Sequence, residues 1–171
     1  MRKGIVVVCL LLLVCSVALC ACDGNVLEED AELVELSTWF FTSGVPNNLI
    51  KMKHSDPNAV FQLTADEGEF YEGGGEWSQT VTRNNGELAT WQNFESIDCA
   101  YVDVIVTVDD NIVGYAVIKI TYTTVYLPQY EAETKEYGAE VIKSVVFPKM
   151  NGEYQKITQK QVESKIQAAK Y

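Results

Sequence analysis

The stretch Cys99–Tyr126, "CAYVDVIVTVDDNIVGYAVIKITYTTVY", decides the fold. Side chains on a β-strand alternate between two faces, so Ala100, Val102, Val104, Val106 and Val108 share one side of its first arm. Cys99, Tyr101, Asp103, Ile105 and Thr107 share the other. The all-aliphatic side is the candidate core face. Asp109, Asp110 and Asn111 tolerate the left-handed backbone of a tight hairpin turn. In the second arm Ile112, Gly114, Ala116, Ile118, Ile120 and Tyr122 form one side, and Val113, Tyr115, Val117, Lys119 and Thr121 the other.

Outward from this hairpin, "NLIKMKH" (48–54), "AVFQLTA" (59–65) and "SQTVTRN" (78–84) are short β-rich runs. "SDPN", "DEGEFYEGGGE" and "NNGE" follow them as turn material. Past Pro128, "QYEAETKEYG" reads as a polar connection, "AEVIKSVVF" as a strand and "PKMNGEY" as a turn. Thr158 followed by Gln161 has the spacing of a capping box that opens a last helix, with Val162, Ile166 and Ala169 on one face. "AELVELSTWFF" (31–41) fits a short helix or a tether running into a strand. Short strands without βαβ alternation predict an all-β protein, an antiparallel β-sandwich with a short C-terminal helix.

The order of these segments over residues 48–124 resembles bacterial immunoglobulin-like domains. There an alternating strand runs into an Asp-x-Gly-x-Phe corner (here Asp66–Phe70), then a threonine-rich strand, a glycine turn and a final hairpin. The resemblance implies an immunoglobulin-like sandwich. It departs from antibody-type domains because Cys99 has no partner cysteine, so no recognition function carries over from them.

At the amino end, Arg2 and Lys3 precede the apolar run Ile5–Ala18, which is too short for a comfortable membrane span and has the layout of an export signal. Cys9 and Cys15 sit inside that run. "Leu19-Cys20-Ala21-Cys22" resembles the bacterial lipobox, with an aliphatic residue three before the modified cysteine and a small one just before it. Cys22 fits; Cys20 would place bulky Leu19 where a small residue is needed. The resemblance implies that residues 1–21 are removed, that Cys22 carries lipid through a thioether, and that the mature chain sits on the extracytoplasmic face of the cell membrane. Two or three acyl chains anchor stably, since each buried methylene contributes about 0.8 kcal/mol. Asp23, just after it, resembles the signal that retains lipoproteins on an inner membrane. The alternative is an ordinary cleaved signal that leaves Cys22 as a free thiol.

With residues 1–21 removed, residues 22–45 read as a tether and N-terminal segment, and 46–171 as the sandwich with its C-terminal strand and helix. Only two of the 13 basic residues precede Cys22 and all 24 acidic ones follow it, so the mature chain has a net charge of −13. That excludes nucleic acid and an electrostatically bound anionic membrane as partners, because both need clustered Lys and Arg. The membrane partner is reached through the lipid, and an envelope protein or surface ligand through the domain. Once Cys22 is lipidated, Cys99 has no cysteine to pair with, and it reads as a half-buried strand thiol.

Catalytic constellations are missing from the sequence. His54, the single histidine, stands beside Ser55 and Asp56, but triad members converge from separate parts of a fold, so it reads as a loop residue. Asp66, Glu67, Glu69, Glu72 and Glu76 around four glycines pose a calcium question, with spacing that matches no EF-hand; they read as a solvated loop. No phosphate loop, nucleophile elbow or dinucleotide fingerprint occurs. The expectation is a non-enzymatic binding or structural module of the cell envelope, without cofactor or metal. The competing reading is a calcium-dependent or hydrolytic accessory protein using the acidic glycine loop. The candidate contact patch is Tyr101, Ile105, Val113, Tyr115 and Val117, on the side of the hairpin away from the valine face, unless the C-terminal strand and helix cover it.

Overall fold

In a computed structural model that describes residues 26–40, 46–93, 99–127 and 132–171, the chain forms two packed antiparallel sheets and one helix. In chain order the strands are β1 (Glu29–Asp30), β2 (Val34–Phe40), β3 (Pro46–Met52), β4 (Val60–Ala65), β5 (Glu69–Gly73) and β6 (Glu76–Ser78). Next come β7 (Thr80–Asn84), β8 (Leu88–Gln92), β9 (Cys99–Val108), β10 (Asn111–Leu127) and β11 (Ala132–Val146). The first sheet has the order β1-β11-β10-β9-β4-β7 and the second β2-β3-β8-β5-β6. The C-terminal helix is Gln159–Ala169. This is an all-β sandwich with a short C-terminal helix.

The β9–β10 hairpin turns on Asp109 and Asp110, both left-handed at φ 48° and 61°, as the sequence predicts. All five residues of the aliphatic face of β9 are buried in the main core, against Ile50, Met52, Phe61, Leu63, Phe70 and Trp91. Burying a Val, Leu, Ile, Met or Phe side chain contributes about 1.5–3 kcal/mol, so this layer is the main source of stability.

The glycine-rich segment expected to be a loop is a hairpin instead. β5 and β6 pair across Gly74–Gly75, and Phe70 is fully buried. Its entrance is the Asp66–Phe70 corner. Asp66 accepts the Tyr101 amide at 2.6 Å, and Trp91 Nε1 donates to the Glu67 carbonyl at 3.1 Å. Gly68, at φ +75°, lets the backbone pass against the Trp91 ring, which a Cβ would approach to 2.6 Å.

Two further expectations change at the edges of the fold. The polar stretch before Gly138 is the first half of β11, paired in register with Thr121–Leu127. Within residues 22–45 the acidic stretch also contributes β1, and the strand that follows it is β2, with Leu33 and Val34 buried in the main core. Leu33, held by the bond from its amide to the Ser144 hydroxyl at 3.2 Å, carries the chain from one sheet to the other.

Candidate functional site

The outer side of the hairpin is the floor of a second, smaller core. Tyr115 and Val117 of β10, Val145 of β11 and Phe147 just past its end meet Val162 and Ile166 of the helix, and all six are buried. Tyr101 and Ile105 are half-buried at its margin. The expected contact patch is therefore not open: an amphipathic helix with two inward aliphatic residues had to cover an apolar face. Val113 leaves the patch for a different reason. A β-bulge between Ile112 and Gly114 places one extra residue opposite β9, so the alternation reverses. Val113 enters the main core and Ile112 joins the second one. Gly114 completes this step, since a Cβ there would lie 2.6 Å from the Val145 carbonyl.

The helix begins as its sequence predicts. The Gln161 amide donates to Thr158 Oγ1 at 3.3 Å and the Thr158 amide to Gln161 Oε1 at 3.0 Å, closing the capping box. Two ion pairs fasten it. Lys165 meets Glu28 at 2.7 Å, and Lys170, its side chain only 8 % exposed, meets Asp103 Oδ2 at 2.9 Å. Lys170 also lies 5.4 Å above the Tyr101 ring. Asp103 Oδ1 is buried and has no hydrogen-bond partner among the described residues. That burial pushes the Asp103 carboxyl above its ordinary value, and the Lys170 ammonium offsets the shift only in part. Burial, helped by the charge of Glu28, pushes the Tyr115 phenol up to about 12.

The acidic candidates do not converge. Asp66 is committed to the Tyr101 amide, while Glu72 and Glu76 are exposed on the β5–β6 hairpin and Glu69 is half-buried there. Among the described residues, no three His, Cys, Asp or Glu side chains are placed to share a metal ion. His54 sits in a turn laced by Asn85, whose Oδ1 accepts the His54 amide at 2.9 Å, and its Nδ1 accepts the Asp56 amide at 3.0 Å. That nitrogen serves the turn. Cys99 is half-buried and free. Cys22 and residues 1–21 lie outside the described residues.

Two open features were missed by sequence reasoning. A hollow of about 410 Å³ lies between the His54 turn and the Phe147–Tyr154 segment, where Lys149 stacks 4.1 Å above Tyr154. A larger cleft, about 680 Å³, runs between β2 and β11. Val34, Leu36, Ala139 and Val141 line its floor, and Asp30, Glu32, Glu35 and Glu140 stand around it. No local signal could reveal it, because these strands are far apart in sequence and belong to different sheets. Among the described residues, no helix is long and apolar enough to cross a membrane. Set against protein-family models, curated proteins and solved structures, the chain matches none of them.

Proposed function

We propose that the protein is a lipoprotein anchored through Cys22 on the extracytoplasmic face of a bacterial membrane, with its immunoglobulin-like sandwich serving as a non-catalytic binding or structural module of the cell envelope. The observation that carries this reading is Leu19-Cys20-Ala21-Cys22 behind Arg2-Lys3 and an apolar run. The sandwich supports it in one further way. Val26 already packs at the margin of the second core, so only Asp23–Asn25 separate the lipidated residue from the folded body. Four residue steps reach at most about 14 Å, which holds the domain close to the bilayer surface. At that distance a charge of −13 repels anionic headgroups, and the acyl chains supply the attraction.

Membrane fractionation with mass spectrometry tests the anchor. An N-terminal peptide beginning at acylated Cys22 is expected, together with loss of membrane partitioning in Cys22→Ala. A Cys22→Ala variant that still sediments with membranes would overturn the reading.

A further inference from the structure

The second core is closed by two segments from opposite ends of the described chain. The helix covers it with Val162 and Ile166, and Val26 packs at its margin. The two covers are joined to each other. The Gln155 side chain, just before the helix, accepts from the Leu27 amide and donates to the Leu27 carbonyl, and it also donates to the Pro148 carbonyl at 2.9 Å. Glu28 meets Lys165 of the helix at 2.7 Å and Lys143 of β11 at 3.9 Å. Its side chain is 23 % exposed, and its charge acts on the Tyr115 phenol in the floor of this core.

Each cover has a thinner hold on the rest of the sandwich. β1 is two residues long, and the Ala31 amide adds one bond to the Ser144 carbonyl at 3.1 Å before buried Leu33 roots the chain in the main core. So short a strand at a sheet edge frays readily. The helix, at eleven residues, does not persist in water once it leaves the sheet. At its far end Lys170 meets Asp103 at 2.9 Å, and the Lys170 carbonyl accepts the Tyr101 hydroxyl at 3.4 Å. Each cover therefore depends on the other for part of its attachment.

We infer that residues 26–31 and the C-terminal helix form one cooperative strap, which closes over the second core and opens as a unit while the main core stays folded. Opening bares Tyr115, Val117 and Val145, so the placement of the amino-terminal segment controls whether the apolar outer face of the β9–β10 hairpin is covered. By linkage, loosening either half of the strap loosens the other by the same factor. The strap lies within residues 26–171 and closes whether or not Cys22 carries lipid.

Native-state hydrogen exchange on the full chain in detergent, resolved residue by residue, tests this coupling in both directions. Val162→Ala removes two buried carbons from the helix and should speed exchange of its amides about fifteenfold. The Ala31 amide, bonded to Ser144 and not to the helix, should speed by the same factor. From the other half, Glu28→Gln should speed the helix amides about twofold to fivefold, the scale of one partly exposed ion pair. Glu32→Gln breaks the pair with Lys53 at 2.8 Å, beyond the strap, and should leave the helix amides unchanged. Amides in the middle of β9 and β10 should keep the wild-type rate in all three variants. The strap is overturned by an Ala31 amide that ignores Val162→Ala, by helix amides that ignore Glu28→Gln or respond equally to Glu32→Gln, or by equal acceleration in β9 and β10. Should Val162→Ala fail to fold, the two glutamate variants decide the matter alone.

Discussion

Replacing Ile166 with alanine should detach the helix without unfolding the sandwich. Ile166 is 2 % exposed and, with Val162, forms the inward stripe of an eleven-residue helix. The change removes three buried carbons, about 2.4 kcal/mol at 0.8 kcal/mol each. A rigid site would add a cavity term and bring the cost toward the upper part of the ~2–5 kcal/mol range. Here the helix can settle toward the sheet, because side chains alone hold it there, so the lower figure applies. An isolated helix this short is marginal in water, so detachment and helix unfolding are one event. At 1.4 kcal/mol per decade, the weakening corresponds to about fifty-fold faster hydrogen exchange of the helix amides. Amides in the middle of β9 and β10, locked in the main core, should exchange at the wild-type rate when measured by native-state exchange with mass spectrometry. Equal acceleration of both sets would show that the two cores open as one unit. No acceleration in the helix would show that Ile166 does not hold it. Either result refutes the two-core account.

Gly68→Ala should destabilise by roughly 2–4 kcal/mol in urea, combining a left-handed backbone with a Cβ driven into the Trp91 ring. Gly86→Ala, equally left-handed at φ +85° but with nothing near its Cβ, should cost only about 1–2 kcal/mol. Val104→Asp buries an unpaired charge in the middle of β9 and should abolish folding by circular dichroism, whereas Thr107→Asp, half-buried on the other face, should still fold. Asp103 and Tyr115, both beside the second core, have raised folded values and each adds a pH dependence to stability. The contribution of Asp103 should be complete below its ordinary 3.8 and disappear as pH rises through its raised value; that of Tyr115 should be complete below 10.0 and disappear as pH rises toward about 12. Asp103→Asn and Tyr115→Phe should flatten the acid and alkaline slopes of stability respectively, read by denaturant melts at stepped pH.

The readable parts of this chain were those governed by neighbours in sequence. The aliphatic side of β9, the Asp109–Asp110 turn and the Thr158–Gln161 capping box each follow from local spacing. Val113 was misplaced because a bulge resets alternation, and its one local sign was Gly114, a glycine inside an otherwise regular strand. The glycine run at 73–75 resembles a loop because Gly74 and Gly75 are the turn of a hairpin; the short strands on either side are too polar to announce themselves, and buried Phe70 anchors them. The first half of β11 is similarly silent, since its strand character comes from pairing with β10. The cleft was illegible for a deeper reason: the adjacency of β2 and β11 is a property of how the two sheets close, which no window of residues encodes.

The first described residues and the helix are cinched together. The Leu27 amide donates to Gln155 Oε1 and Gln155 Nε2 returns a bond to the Leu27 carbonyl, both at 3.0 Å, while Glu28 grips Lys165. Tension applied at the amino end of the chain therefore does not load the sandwich first. It would strain the Gln155 clasp and the Glu28 grip, then peel the two-residue β1 away from β11 one rung at a time, before reaching the buried Leu33. This clasp ties the first described residues to the segment that leads into the helix. Pulling on the amino end would loosen the helix at its Lys165 fastening while the main core stayed whole.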